Sequence, residues 1–350
     1  MRKAIFAIAI FLIAFFILTR KDEAPEEFIN NSKTRLDEMS FEQKIGQVFM
    51  IGFEGKEMTS ELEELVKETH PGAVLLLGKN IEDKEQLERL IGSLQKIAVE
   101  DTGLPLLVAV DQEGGPVFRI SWVENTPQPE IETESQAYLI ARQRAEELAG
   151  LGVNLNLAPL LDKLSENDFL YERGFVKDYE ALGKAMVQGQ EEGGIMSCVK
   201  HFPGYGNISF HPENSLAYVE KIPDFSQFKD TGAEMIMVSN VVYSELNEEA
   251  PFSFLEEGIN ILKNNIEGDY VIVSDDLSQY SLLDNFSLEE TISRPFLAGV
   301  NMIIYSGWRS SVRDAVLELK RKAVVDSYLE KRINESVLKI IDLKSAKFNL

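Results

Sequence analysis

The sequence predicts a single α/β domain that folds as a TIM (β/α)8 barrel. Three features lead to this prediction: eight short apolar runs, longer stretches of helical period between them, and an unbroken composition from residue 41 to the end. Strands that alternate with helices form parallel sheets, and eight such units close a barrel of about 250 residues. A chain of 350 residues therefore has room for one barrel and a short N-terminal extension.

The predicted strands are short runs of β-branched and other apolar residues. In chain order they are Ile45–Phe53, Ala73–Leu77, Leu106–Asp111, Val153–Pro159, Met196–His201, Met235–Asn240, Tyr270–Asp275 and Met302–Tyr305. Their number matters, because eight strands are what a barrel of this type needs.

Helices are predicted where apolar residues recur three or four positions apart. Such stretches are Ser60–Glu68, Lys84–Val99, Ser135–Ala149 and Tyr179–Glu191. A final amphipathic helix, at about Val325–Lys344, is expected to pack across the outside of the barrel.

The N-terminus has the pattern of an export signal. Two basic residues precede an apolar run from Ala4 to Leu18, and two more follow it. No small-x-small cleavage pattern comes after the run, so we expect an uncleaved signal anchor at residues 1–21, a linker at 22–36 and the barrel at 37–350. This predicts a cell-membrane protein with an extracytoplasmic catalytic domain, or a secreted protein if the segment is cleaved.

Charge and composition exclude several functions. The 58 acidic and 35 basic residues give a net charge of −23, which repels nucleic acid phosphates. The single cysteine, Cys198, rules out an intramolecular disulfide and a cysteine-based zinc cluster. The three histidines lack metal-ligand spacing, and no dinucleotide or phosphate-loop pattern is present. We expect no metal, no cofactor and no nucleic acid partner.

Polar residues follow four of the predicted strands. They are Asp111-Gln112-Glu113-Gly114-Gly115 after the third strand, Lys200-His201-Phe202-Pro203-Gly204 after the fifth, Asn240 after the sixth and Ser274-Asp275-Asp276 after the seventh. Active sites of TIM barrels form at the carboxyl ends of the strands. These side chains are therefore expected at one mouth of the barrel.

The chemistry of these strand ends suits a sugar substrate. A rigidly held, partly desolvated carboxylate, either Asp275 or Asp276, fits a nucleophile or a stabiliser of an oxocarbenium-like transition state. Asp276 fits equally well as a cap of the next helix. Lys200 and His201 would donate hydrogen bonds to sugar hydroxyls.

These residues resemble glycoside hydrolase family 3, in the single-barrel form found in bacterial β-N-acetylglucosaminidases. The resemblance runs from about Met39 to the last helix. Its motifs are Met39–Gln47, Val110–Gly115, Asn156–Pro159, Glu172–Phe175, Lys200–Gly204 and Val271–Ser278. It implies a retaining hydrolase that removes terminal β-linked N-acetylglucosamine or a related sugar, with peptidoglycan-derived glycans as the expected source.

The resemblance also implies roles for individual residues. Asp275 would attack the anomeric carbon and form a glycosyl-enzyme intermediate. The saccharide would be bound by the residues that match the family's other contacts, namely Asp111, Arg119, Arg173, Lys200 and His201. A competing interpretation of Arg119 is an arginine paired to a surface acid.

The loop after the fifth strand departs from the family pattern. The family has an Asp-x-His pair there, in which the histidine is the general acid/base. Here His211 occupies the aspartate position and Glu213 the histidine position. Glutamate near an apolar sugar face can have a raised pKa and donate a proton, so Glu213 or His211 is the expected proton donor. Pro116 and Asn240 also replace an arginine and a histidine of the family pattern.

Two alternatives stay open. The substituted loop is compatible with a catalytically weakened, membrane-tethered relative that binds saccharides without protonating a leaving group. Lys200 at a barrel mouth is also compatible with a Schiff-base lyase. In each case we expect a monomer.

Overall fold

The computed structural model describes residues 26–307 and 310–350. The predicted signal anchor at residues 1–21 lies outside these residues. Within the segment predicted as a linker, a helix spans Glu26–Glu38 and packs against the C-terminal helix. Among the helices of the described ranges, none is both long enough and apolar enough to span a bilayer.

Eight parallel strands form the barrel. In chain order they are Phe49–Ile51, Ala73–Leu76, Leu107–Val110, Leu155–Asn156, Met196–Phe202, Met235–Val238, Val271–Ser274 and Ile303–Tyr305. The first strand pairs with the eighth, with Phe49 opposite Ile303. The seventh and eighth meet where the Ser274 N–H donates to the Met302 carbonyl at 3.0 Å, so the ring of strands closes. The predicted TIM barrel is confirmed, and all eight strands overlap their predicted positions.

Helices surround this barrel. Their bounds are Glu26–Glu38, Phe41–Gln47, Ser60–Thr69, Lys84–Thr102, Glu134–Ala149, Tyr179–Glu192, Glu256–Asn265, Tyr280–Leu283, Leu288–Ala298, Val312–Val325 and Ser327–Phe348. Short 3-10 turns occur at Gly78–Asn80, Gln128–Glu130, Ser226–Phe228 and Phe252–Phe254. The C-terminal helix predicted at about Val325–Lys344 is present as Ser327–Phe348, and it buries Ile333, Val337 and Ile340.

The predicted start of the first strand is wrong. Its first three residues belong to the helix Phe41–Gln47, and the strand itself is Phe49–Ile51. A capping box sets the start of this helix: the Ser40 hydroxyl accepts the Gln43 N–H, and the Gln43 side chain accepts the Ser40 N–H. The apolar run that predicted a long strand therefore covers the end of a helix as well as a strand.

A second, smaller sheet lies outside the barrel and was not predicted. It pairs Tyr218–Val219 with Val242–Tyr243 in parallel. Each strand has two residues, which is too short for an alternating pattern to be recognised in the sequence. This sheet joins the loop after the fifth barrel strand to the segment that follows the sixth.

Candidate active site

The carboxyl ends of the strands surround a cavity of about 250 Å³. All eight residues predicted for the site line it: Asp111, Arg119, Arg173, Lys200, His201, His211, Glu213 and Asp275. A larger groove of about 590 Å³ runs beside the helix Tyr179–Glu192 and contains none of the eight. The barrel thus brings together side chains that lie as far as 164 positions apart, from Asp111 to Asp275.

Asp275 directly follows the seventh strand and is half-buried. Its backbone N–H donates to the Val238 carbonyl of the neighbouring strand at 3.0 Å. Its Oδ1 accepts the Asp276 N–H at 2.7 Å, and its Oδ2 accepts the Tyr205 hydroxyl. Backbone pairing and two donors therefore fix this carboxylate at the cavity.

Asp276 has a different environment, although it also lines the cavity. Its Oδ1 accepts the Ser278 N–H at 2.8 Å and the Ser278 hydroxyl at 2.7 Å, and its Oδ2 accepts the Ser306 hydroxyl. Burial raises the pKa of Asp276 despite these donors. Asp276 thus stabilises the turn that carries Asp275, and Asp275 is the better candidate for an attacking carboxylate.

Lys200 joins two acids at the base of the cavity. Its Nζ lies 2.8 Å from Asp111 Oδ1 and 2.6 Å from Glu113 Oε1. Arg173 forms a bidentate pair with Glu113, at 2.9 Å and 2.8 Å. Although burial opposes ionisation, Arg173 and Lys200 hold the pKa of Glu113 well below its usual range. Glu113 was not among the predicted site residues. Its position two residues after Asp111, in the same polar motif, could have predicted it.

These pairs bear on the Schiff-base alternative. Burial disfavours the Lys200 ammonium, but Asp111 and Glu113 outweigh it and raise the pKa of Lys200. A lysine that attacks a carbonyl must be a neutral amine, which is favoured by a lowered pKa. The environment of Lys200 therefore favours charge-assisted binding over nucleophilic attack.

Arg119 closes the same cluster from the loop after the third strand. Its guanidinium lies 3.4 Å from Asp111 Oδ2, and its backbone N–H donates to Gln112 Oε1 at 2.9 Å. Burial opposes ionisation of Asp111, yet Lys200 and Arg119 lower its pKa. The acid that pairs with Arg119 is therefore the predicted sugar-binding aspartate and not an unrelated surface residue.

His201 is oriented by Asp162, a residue that the sequence analysis missed. Asp162 Oδ2 lies 3.0 Å from His201 Nδ1 and also accepts the His201 backbone N–H at 3.0 Å. Asp162 Oδ1 accepts the Tyr205 N–H at 2.7 Å. The available signal was an aspartate at the end of the apolar run that follows the fourth strand.

The loop that carries the predicted proton donors lies on one side of the cavity. The His211 side chain is exposed, and its ring contacts Phe169 with centroids 5.4 Å apart. Glu213 is half-buried, and its backbone carbonyl accepts the Ser281 N–H at 2.9 Å. Burial, together with the nearby Asp275 carboxylate, raises the pKa of Glu213. A carboxyl in this state is suited to donate a proton.

One of the two further departures from the family pattern, Asn240, has a structural explanation, and Pro116 has none. Asn240 donates to the Asp276 carbonyl at 3.3 Å and accepts the Ser253 hydroxyl at 2.7 Å, so it supports the turn after the seventh strand. Pro116 is exposed in the loop after the third strand. Asn240 therefore contributes to the site through the backbone of its neighbour.

Comparison with known proteins gives a consistent result. The model of the glycosyl hydrolase family 3 N-terminal domain matches residues 40–343. A β-hexosaminidase of Tolumonas auensis is 28% identical over 278 residues, which are 73% of this chain and 81% of that protein. A β-hexosaminidase of Nitrosomonas eutropha is 30% identical over 266 residues, or 68% of this chain and 75% of that protein.

Solved structures show the same likeness. A glycoside hydrolase family 3 β-N-acetylglucosaminidase from Paenibacillus has a TM-score of 0.79 and 26% identity, and the match covers 89% of this chain and 63% of that one. A β-N-acetylhexosaminidase from Beutenbergia cavernae has a TM-score of 0.79 and 26% identity, with coverage of 88% and 99%.

Proposed function

Since this chain belongs to glycoside hydrolase family 3 and is a glycosidase, we propose that it removes terminal β-linked N-acetylhexosamine with retention of configuration. The observation that carries the proposal is the fixed Asp275 carboxylate, which lines one cavity together with the carboxyl of Glu213. Retaining glycosidases usually use two carboxyl groups at the sugar-binding site. The relatives named β-hexosaminidase support N-acetylhexosamine as the sugar.

In the first step, Asp275 attacks the anomeric carbon. A bond forms between a carboxylate oxygen and that carbon, and the glycosidic bond breaks. Glu213 donates its proton to the departing oxygen, for which its raised pKa is suited. His211 is the alternative donor, and its ring is exposed and contacts Phe169.

In the second step, water replaces the enzyme at the anomeric carbon. Glu213, now a carboxylate, accepts a proton from the water as the oxygen of water bonds to the carbon. The ester bond to Asp275 breaks, and its electron pair returns to the carboxylate. Both displacements invert the anomeric carbon, so the product keeps the configuration of the substrate.

The cation and acid cluster at the base of the cavity suits sugar recognition. Asp111 and Lys200 provide an acceptor and a donor that are already paired and charged, so they need little reorganisation on binding. A cavity of about 250 Å³ lies below the range of about 300–1,000 Å³ typical of drug-sized ligands. It accommodates one terminal sugar, which favours exo action.

The source of the sugar and the cellular location are further parts of the proposal. We propose peptidoglycan-derived glycans as substrates, and a monomeric barrel at residues 37–350 tethered to the cell membrane by residues 1–21. The basic and apolar pattern of the N-terminus supports an exported domain, and the net charge of −23 favours solubility of that domain. Protease accessibility of the barrel in intact cells tests the location, and sedimentation of the purified chain tests the monomer.

Mechanism-based labelling tests the reaction itself. A fluorosugar analogue of N-acetylglucosamine should add one sugar mass to the intact protein, and peptide mapping should place it on Asp275. Binding of the sugar without turnover of either an activated aryl glycoside or a disaccharide would contradict the hydrolase and favour the saccharide-binding relative. A label on another carboxylate would refute the role of Asp275.

A further inference from the structure

Tyr205 is a buried residue at the cavity whose contacts hold its hydroxyl in one place. Its backbone N–H donates to Asp162 at 2.7 Å. Its ring packs edge-on against His201, with centroids 4.6 Å apart, and against Phe169, at 5.5 Å. Its hydroxyl donates to Oδ2 of Asp275. The tyrosine is thus fixed at both ends, by its backbone and by the nucleophile.

We propose that Tyr205 is a positioning residue that favours the second chemical step, because its hydroxyl stabilises the Asp275 carboxylate as that carboxylate leaves the sugar. The inference rests on the proposed function, in which Asp275 forms the glycosyl-enzyme. It assigns Tyr205 a role distinct from acid/base catalysis, which belongs to Glu213.

The direction of the effect follows from where charge lies in each step. A hydrogen bond to a carboxylate is about twice as strong as one to a neutral acceptor. In the first step Asp275 loses its charge, so the Tyr205 bond weakens as the reaction proceeds. In the second step the electron pair of the ester bond returns to Asp275, so the same bond strengthens. The hydroxyl therefore opposes attack and promotes departure.

Tyr205 remains a donor through this cycle. Burial and the Asp275 carboxylate raise the pKa of Tyr205 well above its usual range, so the phenol stays protonated. No proton moves between Tyr205 and Asp275 in either step. The second donor to Asp275, the Asp276 N–H at 2.7 Å, belongs to the backbone and cannot be removed by substitution. Tyr205 is therefore the donor whose effect can be measured.

The test separates the two steps with the fluorosugar. Inactivation of the enzyme reports attack, and reactivation of the purified glycosyl-enzyme reports departure, both followed by intact mass. Tyr205→Phe should slow reactivation about tenfold or more, which is the effect of losing a hydrogen bond to a charged group. Inactivation should change less than about threefold or become faster. Tyr205→His, which restores a ring N–H, should recover part of the reactivation rate.

The control is Tyr270→Phe, because Tyr270 is also buried and its hydroxyl also has one acceptor, the Ile266 carbonyl at 3.1 Å. It does not line the cavity, so both rates should stay at the wild-type value. Equal slowing of both steps in Tyr205→Phe, or no change in either, would overturn the inference. If the fluorosugar fails to label Asp275 in the wild-type enzyme, the proposed function fails instead.

Discussion

The two sides of the cavity are built in different ways. On the strand side, Asp111, Lys200 and Asp275 lie at the ends of barrel strands and are fixed by ion pairs or backbone pairing. On the loop side, Glu213 belongs to the segment after the fifth strand, which forms hydrogen bonds with neighbouring loops. The Phe169 N–H donates to the Ile208 carbonyl at 2.9 Å, and the Ser165 hydroxyl donates to Asn207 at 2.7 Å.

This difference accounts for the departure from the family pattern at His211 and Glu213, because a loop tolerates substitution on a constant scaffold. Asn240 is a departure at a strand end, where it supports the turn that carries Asp275.

Asp275, Asp111 and Lys200 keep the family pattern, and the proposed proton donor does not. We therefore expect strand-side substitutions to affect the nucleophile or stability, and substitutions of Glu213 to affect proton transfer. Tyr205, on the same loop as Glu213, is the exception, because its hydroxyl contacts Asp275.

Asp275→Asn should have the largest effect. An amide oxygen is a far poorer nucleophile than a carboxylate, so turnover should fall on the order of 10⁴-fold or more. The loss should be similar for nitrophenyl glycosides and for a disaccharide, because both need the nucleophile. Steady-state rates on the two substrates measure this, and retained activity on either would refute the assignment.

Glu213→Gln should have the next largest effect, and its effect on the first step should depend on the leaving group. Loss of the general acid should slow an unactivated disaccharide about 10²- to 10⁴-fold. Attack on a nitrophenyl glycoside needs little acid assistance, so its first step should be nearly unchanged. His211→Asn is the matched control on the same loop. If His211→Asn slows disaccharide hydrolysis more than Glu213→Gln does, His211 is the general acid.

Lys200→Met should lower the free energy of unfolding, because Lys200 belongs to the buried ion pairs on the strand side. It leaves Asp111 and Glu113 with only their arginine partners, and breaking a buried pair costs about 3–5 kcal/mol. We expect the lower end of that range, because Arg119 and Arg173 remain. Denaturant unfolding measures the change.

The control for this stability change is Lys163→Met, which removes a partly exposed ion pair with Asp224. Such a pair contributes about 0–1 kcal/mol. Equal losses in Lys200→Met and Lys163→Met would show that the strand-side cluster does not stabilise the fold.

The local pattern of the sequence predicts the strand side, whereas His211 and Glu213 on the loop side were predicted through the family resemblance. A short apolar run followed by polar residues marks a strand end, and the barrel places all such ends together, as it does for Asp111 and Asp275. Tyr205 and Asp162 were missed because their roles arise from contacts between loops, which no local period encodes. The start of the first strand was wrong because the apolar residues near Ile45 also fit the end of a capped helix.

The pH dependence should be set by the loop side. Glu213 must be protonated to donate, so the rate on a disaccharide should fall as the pH rises through its pKa. Burial and Asp275 raise that pKa, so the fall should come above the ordinary value for glutamate of about 4.3. The pH profile of kcat/KM measures this. In Glu213→Gln the decrease of kcat/KM at high pH should disappear. If that decrease persists, it arises from the titration of another group.

Phe169→Leu should have the smallest effect and tests how the loop is held. The Phe169 ring contacts both Tyr205 and His211, so it joins the loop to the segment after the fourth strand. Leucine keeps apolar volume but loses the edge-on contacts, each of which contributes about 0.5–1.5 kcal/mol. We expect a fall of about three- to tenfold in the disaccharide rate and little change for the nitrophenyl substrate. An equal fall on both would mean that Phe169 acts through Tyr205 on Asp275 instead of through the proton donor.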